Sequence, residues 1–159
     1  MNPPKNALQK AIQILSRREY SALELRRKLT RGYSAQEIQE ALERLREIGL
    51  LDDERLALDR ARSGREGQLW GDLKLRAYLA RIGIDDRIAE RVLRVIGEDL
   101  GEPESLDRLT AKWVKIHGAP VSHRQMKRLF DYCIRRGYPP DLVRTKLEVW
   151  WSGLGSPSE

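Results

Sequence analysis

"RRGYPPDLVRTKL", Arg135 to Leu147, follows the plan of "TRGYSAQEIQEAL", Thr30 to Leu42. In each, a basic residue precedes Gly-Tyr and a two-residue turn follows. An apolar residue then opens the next helical turn (Ile38; Leu142), and a leucine stands ten positions after the glycine (Leu42; Leu147). A third passage fits the frame between them. Gly83 lies 51 residues after Gly32 and 54 before Gly137, and it is followed by Ile84, Asp85, Ile88 and Leu93. Three such passages at nearly equal spacing mark a repeated module, each copy covering part of its neighbour's apolar face.

Working outward, apolar residues recur at helical spacing. Leu8, Ala11, Ile12 and Leu15 form one stripe, and Ile38, Ala41, Leu42, Leu45 and Ile48 a second. Ile88, Val92, Leu93 and Ile96 form a third, and Leu142, Val143, Leu147 and Trp150 a fourth. No segment alternates with period two, so the chain reads as all-α. "SALE" (Ser21 to Glu24), "SAQE" (Ser34 to Glu37) and "SHRQ" (Ser122 to Gln125) fit the reciprocal cap that opens a helix. Asp52, Asp53 and Asp85 suit simpler caps, and Pro139-Pro140 suits a first helical turn. Gly32, Gly83 and Gly137 stand just past helix ends, where a left-handed residue is wanted.

These signals predict helices over 7–18, 21–31, 34–48, 53–65, 69–82, 85–98, 105–117, 122–136 and 140–151. Grouped in threes, they give repeats at 1–51, 52–100 and 101–151. "GEDLGEPESL" (Gly97 to Leu106) reads as a linker before the third repeat, "SGREG" (Ser63 to Gly67) as a loop, and 152–159 as a disordered tail.

The chain of 159 residues carries a formal charge of +6. Residues 7–51 contribute +3, residues 52–100 contribute −1, and residues 101–159 contribute +3, with Lys5 supplying the remaining unit. Two basic thirds therefore flank a nearly neutral one. The densest basic groups are Arg17, Arg18, Arg26, Arg27, Lys28 and Arg31, and Arg124, Lys127, Arg128, Arg135 and Arg136. Such stripes suit phosphates or carboxylates, or stand as solvated faces paired with Glu19 and Glu24.

Other chemistry finds little support. Asp52, Asp53 and Glu54 fit a negatively charged helix start. His117 and His123 lack partners at zinc spacing, and Cys133 sits in an apolar helical pattern. Phosphate-cradling glycine loops are absent, no set of residues meets the geometric roles of a reaction, and no cofactor is expected. The single cysteine, the lack of an apolar run of about 20 residues and an N-terminus without an apolar signal core point to the cytoplasm. A helix–turn–helix DNA reader over residues 21–45 is the alternative, but its second helix begins "SAQEIQEALERL", with glutamates where phosphates would lie.

"LSRREYSALELRRKLTRGYSAQEIQEALERLREIGLLDDERLA" (Leu15 to Ala57) resembles the signature region of the RecX family, bacterial regulators of the RecA recombinase. The likeness rests on Arg18, Tyr20-Ser21, Glu24-Leu25, Leu29 and Gly32, then on Ile38, Leu42, Leu45, Gly49-Leu50, Asp52-Asp53 and Ala57. "LRAYLARIGID" (Leu75 to Asp85) resembles the family's second-module pattern, from which "GQLWGDLKL" departs; "GEPES" and Pro139-Pro140 are departures around the third module. The resemblance implies tandem three-helix repeats in a curved, elongated stack. It also implies a protein without catalysis that binds the RecA filament on DNA and inhibits ATP hydrolysis and strand exchange; a monomer is expected.

Overall fold

The computed structural model describes residues 4–153; of the tail expected at 152–159, residues 152 and 153 close the last helix and the rest lies outside the described residues. Among the described residues there are nine α-helices and no strand. They are α1 (Ala7–Leu15), α2 (Ala22–Leu29), α3 (Ala35–Glu47), α4 (Asp53–Arg62), α5 (Asp72–Arg81), α6 (Asp86–Asp99), α7 (Glu102–His117), α8 (His123–Arg135) and α9 (Pro140–Gly153). The chain divides into two compact units, one of residues 1–60 with 78–92, the other of 61–77 with 93–159.

In the first unit, α1, α2 and α3 pack on one another. Leu25 and Leu29 of α2 lie one helical turn apart, and Ile38, Leu42 and Leu45 of α3 follow the same spacing. All are buried with Ala11 and Leu51. Removing each of the leucine and isoleucine side chains from water is worth about 1.5–3 kcal/mol. Both serine caps form as the sequence predicts. Ser21 Oγ accepts from Glu24 N–H at 3.1 Å while Glu24 receives Ser21 N–H at 2.9 Å. Ser34 and Glu37 repeat this at 3.2 and 2.7 Å. The Ser34 backbone N–H, helped by its hydroxyl, holds the Glu37 carboxyl below its ordinary pKa.

The second unit has its own core: Leu106, Leu109 and Trp113 of α7, Met126, Leu129 and Cys133 of α8, then Tyr138, and Val143 and Leu147 of α9. Burial pushes the Cys133 thiol up to about 12. The third cap differs from its predicted form. Ser122 accepts from Gln125 N–H at 3.3 Å, but Gln125 Oε1 reaches one residue further back, to Val121 N–H at 2.8 Å.

Four expectations are corrected. "SGREG" is not a loop: Ser63–Gly67 is a π-helical turn that prolongs α4. "GEDLGEPESL" is not a linker. α6 runs to Asp99, α7 starts at Glu102, Leu100 is buried, and Pro103 sits in the first turn of α7, where its missing N–H costs nothing. The repeated apolar position is the sixth after the glycine: Ile38, Ala89 and Val143 are buried, whereas Ile88 and Leu142, matched with Ile38 above, are only partly so. Gly83 and Gly137 adopt φ of +86° and +91°, but Gly32 is not left-handed. Instead α2 ends with Gly32 N–H and Tyr33 N–H both bonded to Leu29 O, at 3.1 and 3.2 Å, and Gly49 (φ +75°) closes α3.

Each unit contains one junction in which a helix start meets a glycine turn. In the first, the start of α2 meets Gly83: Ser21 Oγ donates to Ile82 O, and a Cβ on Gly83 would overlap the Leu23 side chain. Ala22 N–H, which has no partner inside α2, donates to Asp53 Oδ1 at 2.8 Å. In the second, the start of α5 meets Gly137. Gly71 N–H bonds Arg136 O at 2.8 Å, and Leu73 N–H bonds Gly137 O at 3.1 Å. Asp72 N–H donates to Glu102 Oε1 at 2.8 Å. Here a Cβ on Gly137 would overlap the backbone of Lys74. Asp53 and Glu102 each open a helix, and each accepts from the first amide of another. Burial raises both carboxyl pKa values, with the accepted amide opposing the rise.

Candidate nucleic-acid and partner interface

The first basic group is positioned by α1, α2 and the connection 16–21 between them, with Tyr20 immediately before the Ser21 cap. The Tyr20 ring is half-buried and serves as a platform. The Arg18 guanidinium lies 4.3 Å from its centroid and Lys28 Nζ lies 4.8 Å away. Cation–π contact fixes a cation without cancelling its charge. Arg26 donates to Gln39 Oε1 at 2.8 Å, while Arg17, Arg27 and Arg31 are exposed.

Glu19 and Glu24, the acids that could pair with this group as a solvated face, are occupied elsewhere. Glu19 meets Arg55 at 3.5 Å, and Glu24 is spent on the Ser21 cap. Among the described residues, none of Arg17, Arg18, Arg26, Arg27, Lys28 and Arg31 forms an ion pair. The face is therefore not internally compensated. On α3 the glutamates make local bonds, Glu40 with Gln36 at 3.0 Å and Glu43 with Gln39 at 2.9 Å, and they stay exposed. An acidic α3 face repels a phosphate backbone.

The second group is less uniform. Arg124, Arg128 and Arg135 are exposed and form no ion pair among the described residues. Lys127 bonds Asp131 at 2.7 Å, one turn on along α8. Arg136 has a structural task, since its guanidinium donates to Gln68 O and to Tyr132 Oη at 3.3 Å, and it lies 5.3 Å from the Tyr132 ring. Arg128 and Arg135 line a cleft of about 260 Å³ with Trp113, Ile116, His117, Asp131 and Tyr132. The His117 ring lies 4.7 Å from that of Trp113, and His123 meets Trp151 edge-on at 5.9 Å.

Two participants escaped the sequence reading. Lys10, isolated in sequence, joins Gln13, Ile14, Arg17, Tyr20 and Lys28 around a cleft of about 110 Å³. The signal was its place seven residues before Arg17, two helical turns along α1. Arg65 lies in "SGREG", whose composition suggests a loop. Its side chain is 1% exposed and paired with Asp72 Oδ1, and its Nε and Nη1 meet no hydrogen-bond partner. Among the described residues no cluster of His, Cys, Asp and Glu is placed to hold a metal, and no helix is long and apolar enough to cross a membrane.

Fold and surface together define an all-α protein with exposed basic faces. The family profile described as "RecX, first three-helix domain" matches residues 7–45. A Regulatory protein RecX of Trichlorobacter lovleyi is 31% identical over 149 residues, covering 92% of this chain and 97% of that protein. One of Syntrophotalea carbinolica is 36% identical over 141 residues, covering 87% and 92%. The crystal structure of RecX from Lactobacillus salivarius superposes with a TM-score of 0.77 at 21% identity, covering 90% of this chain and 93% of that one. The chain belongs to the RecX family of regulatory proteins.

Proposed function

We propose that the protein binds the filament formed by the RecA recombinase on DNA and lowers its ATP hydrolysis and strand exchange, so modulating recombination and DNA repair in the cytoplasm. Membership of a family of regulatory proteins supports this reading. The observation that carries it is the first basic face, whose cations have no carboxylate partners. The exposed cations of α8, Arg124, Arg128 and Arg135, form a second contact. Many modest contacts along one partner add through effective concentration, so no single site need be tight. We also propose three repeats at 1–51, 52–100 and 101–151. The reading is supported by the two junctions, which place an acid, a helix start and a left-handed glycine in the same relation.

The experiment measures DNA-stimulated ATPase of RecA as the protein is added. Hydrolysis is expected to fall towards a low plateau at saturation, and unchanged hydrolysis overturns the reading. The variant Arg26→Glu/Arg27→Glu/Arg31→Glu is expected to need at least about tenfold more protein for the same inhibition, at about 1.4 kcal/mol per tenfold. Its melting temperature should stay within a few degrees, because no core contact is lost.

A further inference from the structure

We propose that the cleft between α1, α2 and Tyr20 is a phosphodiester subsite that holds the backbone of a nucleic-acid strand. The occupant rests on the filament-on-DNA reading above, and the place of the subsite rests on its geometry. Lys10, Arg17 and Lys28 line the cleft, Arg18 stands on the ring that floors it, and no carboxylate contributes to the lining. The ring holds Arg18 and Lys28 in place at 4.3 and 4.8 Å. Their charge is thus positioned before a ligand arrives, and less conformational entropy is lost on binding.

One effect opposes an anion here. The cleft lies near the carboxyl end of α1, where free carbonyls carry partial negative charge. That charge is largely capped. Ser16 N–H bonds Ile12 O at 2.9 Å, Ser16 Oγ bonds Gln13 O at 2.7 Å, and Arg17 N–H bonds Ile14 O at 3.2 Å. Full cations on the lining side chains outweigh what remains of the helix-end charge, about half a unit at most.

Size and shape set the ligand class. A cleft of about 110 Å³ holds a few waters' worth of volume, enough for a phosphate group but not for a nucleoside. The lining cations come from one helix, from its exit and from a second helix, so they approach from different directions. A tetrahedral phosphodiester spreads its charge and its acceptor lone pairs to suit them, whereas the two coplanar oxygens of a carboxylate suit a fork from one side. A strand lying along α1 and α2 would then pass the exposed Arg27 and Arg31 without needing a pocket for each.

The test uses the full chain and a labelled oligothymidylate without recombinase, with affinity measured by fluorescence anisotropy across a salt series. Lys10→Gln/Arg17→Gln/Lys28→Gln is expected to lower affinity at least about tenfold and to reduce the slope of log K against log salt by about 2, as loss of three contacts to a single strand requires. Tyr20→Leu leaves every charge in place. It is expected to lower affinity several-fold with a slope change below about 0.7, less than one contact. Arg44→Gln, on α3 and paired with Glu47 at 3.0 Å, is expected to bind as the wild type does. Circular dichroism melting shows that each variant folds. The proposal is overturned if the wild type shows no salt-dependent binding or the triple variant keeps the wild-type slope. It is also overturned if polyglutamate displaces the oligonucleotide as well as unlabelled oligothymidylate does. Inhibition of RecA by the wild type is scored separately. Inhibition with an unchanged slope in the triple variant removes the cleft alone, whereas a lost slope without inhibition removes the filament reading.

Discussion

The two helix-start junctions solve one problem with different chemistry. In the first unit the contact on Gly83 is Leu23, an apolar side chain. In the second the contact on Gly137 is Lys74, through its backbone, and beside it lies a polar network. Arg65 pairs with Asp72, Tyr138 Oη bridges Ser105 Oγ at 2.7 Å and Leu69 O at 2.8 Å, and Arg136 holds Gln68 O. Yet the backbone device is shared: an acid at the first position of one helix accepts from the first amide of another, at 2.8 Å in both. The amide and the left-handed glycine are demanded by geometry. What fills the space around them is not, and it has been settled once with leucine and once with an ion pair.

The comparison breaks most sharply at the glycines. At Gly137 an added Cβ meets the N, Cα and Cβ of Lys74, all fixed, whereas at Gly83 it meets Leu23 Cβ, Cγ and Cδ2, of which the last two can swing away. Gly137→Ala is expected to cost about 4 kcal/mol, from backbone strain plus overpacking, and Gly83→Ala about 1 kcal/mol less. Urea unfolding measures both, and equal costs would mean that the two turns are equally packed.

Next comes the ion pair. Arg65→Met removes the buried partner of Asp72 and brings that carboxylate closer to an uncompensated charge. Because Asp72 is 33% exposed, the cost is discounted to about 2–3 kcal/mol. Arg62→Met, which breaks an exposed pair with Asp99 at 3.2 Å, should cost under about 1 kcal/mol. If Arg65→Met were as mild as Arg62→Met, the polar network would be filler and the two junctions would be equivalent in energy.

The smallest effect concerns the shared acids. Burial raises the folded-state pKa of Asp53 and of Glu102, so the folded chain binds more protons than the unfolded one between the ordinary carboxylate pKa and the raised value. Stability therefore falls as pH rises through that window. Asp53→Asn keeps an oxygen for Ala22 N–H and removes the charge. Its stability relative to wild type is expected to rise across the window and level off above it, as is that of Glu102→Gln. Thermal melting over a pH series reads this, and a flat difference would show that neither junction strains its acid.

Much of this fold was legible in the sequence. The glycine spacing and the serine caps located most helix starts, because those signals are local. The failures share a cause. Ser63–Gly67 has two glycines and reads as a break, but tertiary contacts bury Gly64 and Arg65 and keep the turn helical. "GEPES" has the composition of a linker, yet Glu102 is half-buried because Asp72 N–H needs it. Arg65 and Asp72 are seven residues apart across a break in helix, so no periodicity links them. At the basic face the sequence supplied the cations but not their acids: Glu19 turning to Arg55 is a long-range choice. Lys10 went unseen because Tyr20 and Lys28, which share its cleft, lie beyond the end of α1 and outside its helical period.

The lone sulfhydryl at Cys133 gives the second unit a built-in clock. It is fully enclosed and pushed far from its reactive form, so an alkylating reagent reaches it only when that core opens. The trapping rate under native conditions then reports how often one half of the molecule breathes, with no label added and no signal from the other half.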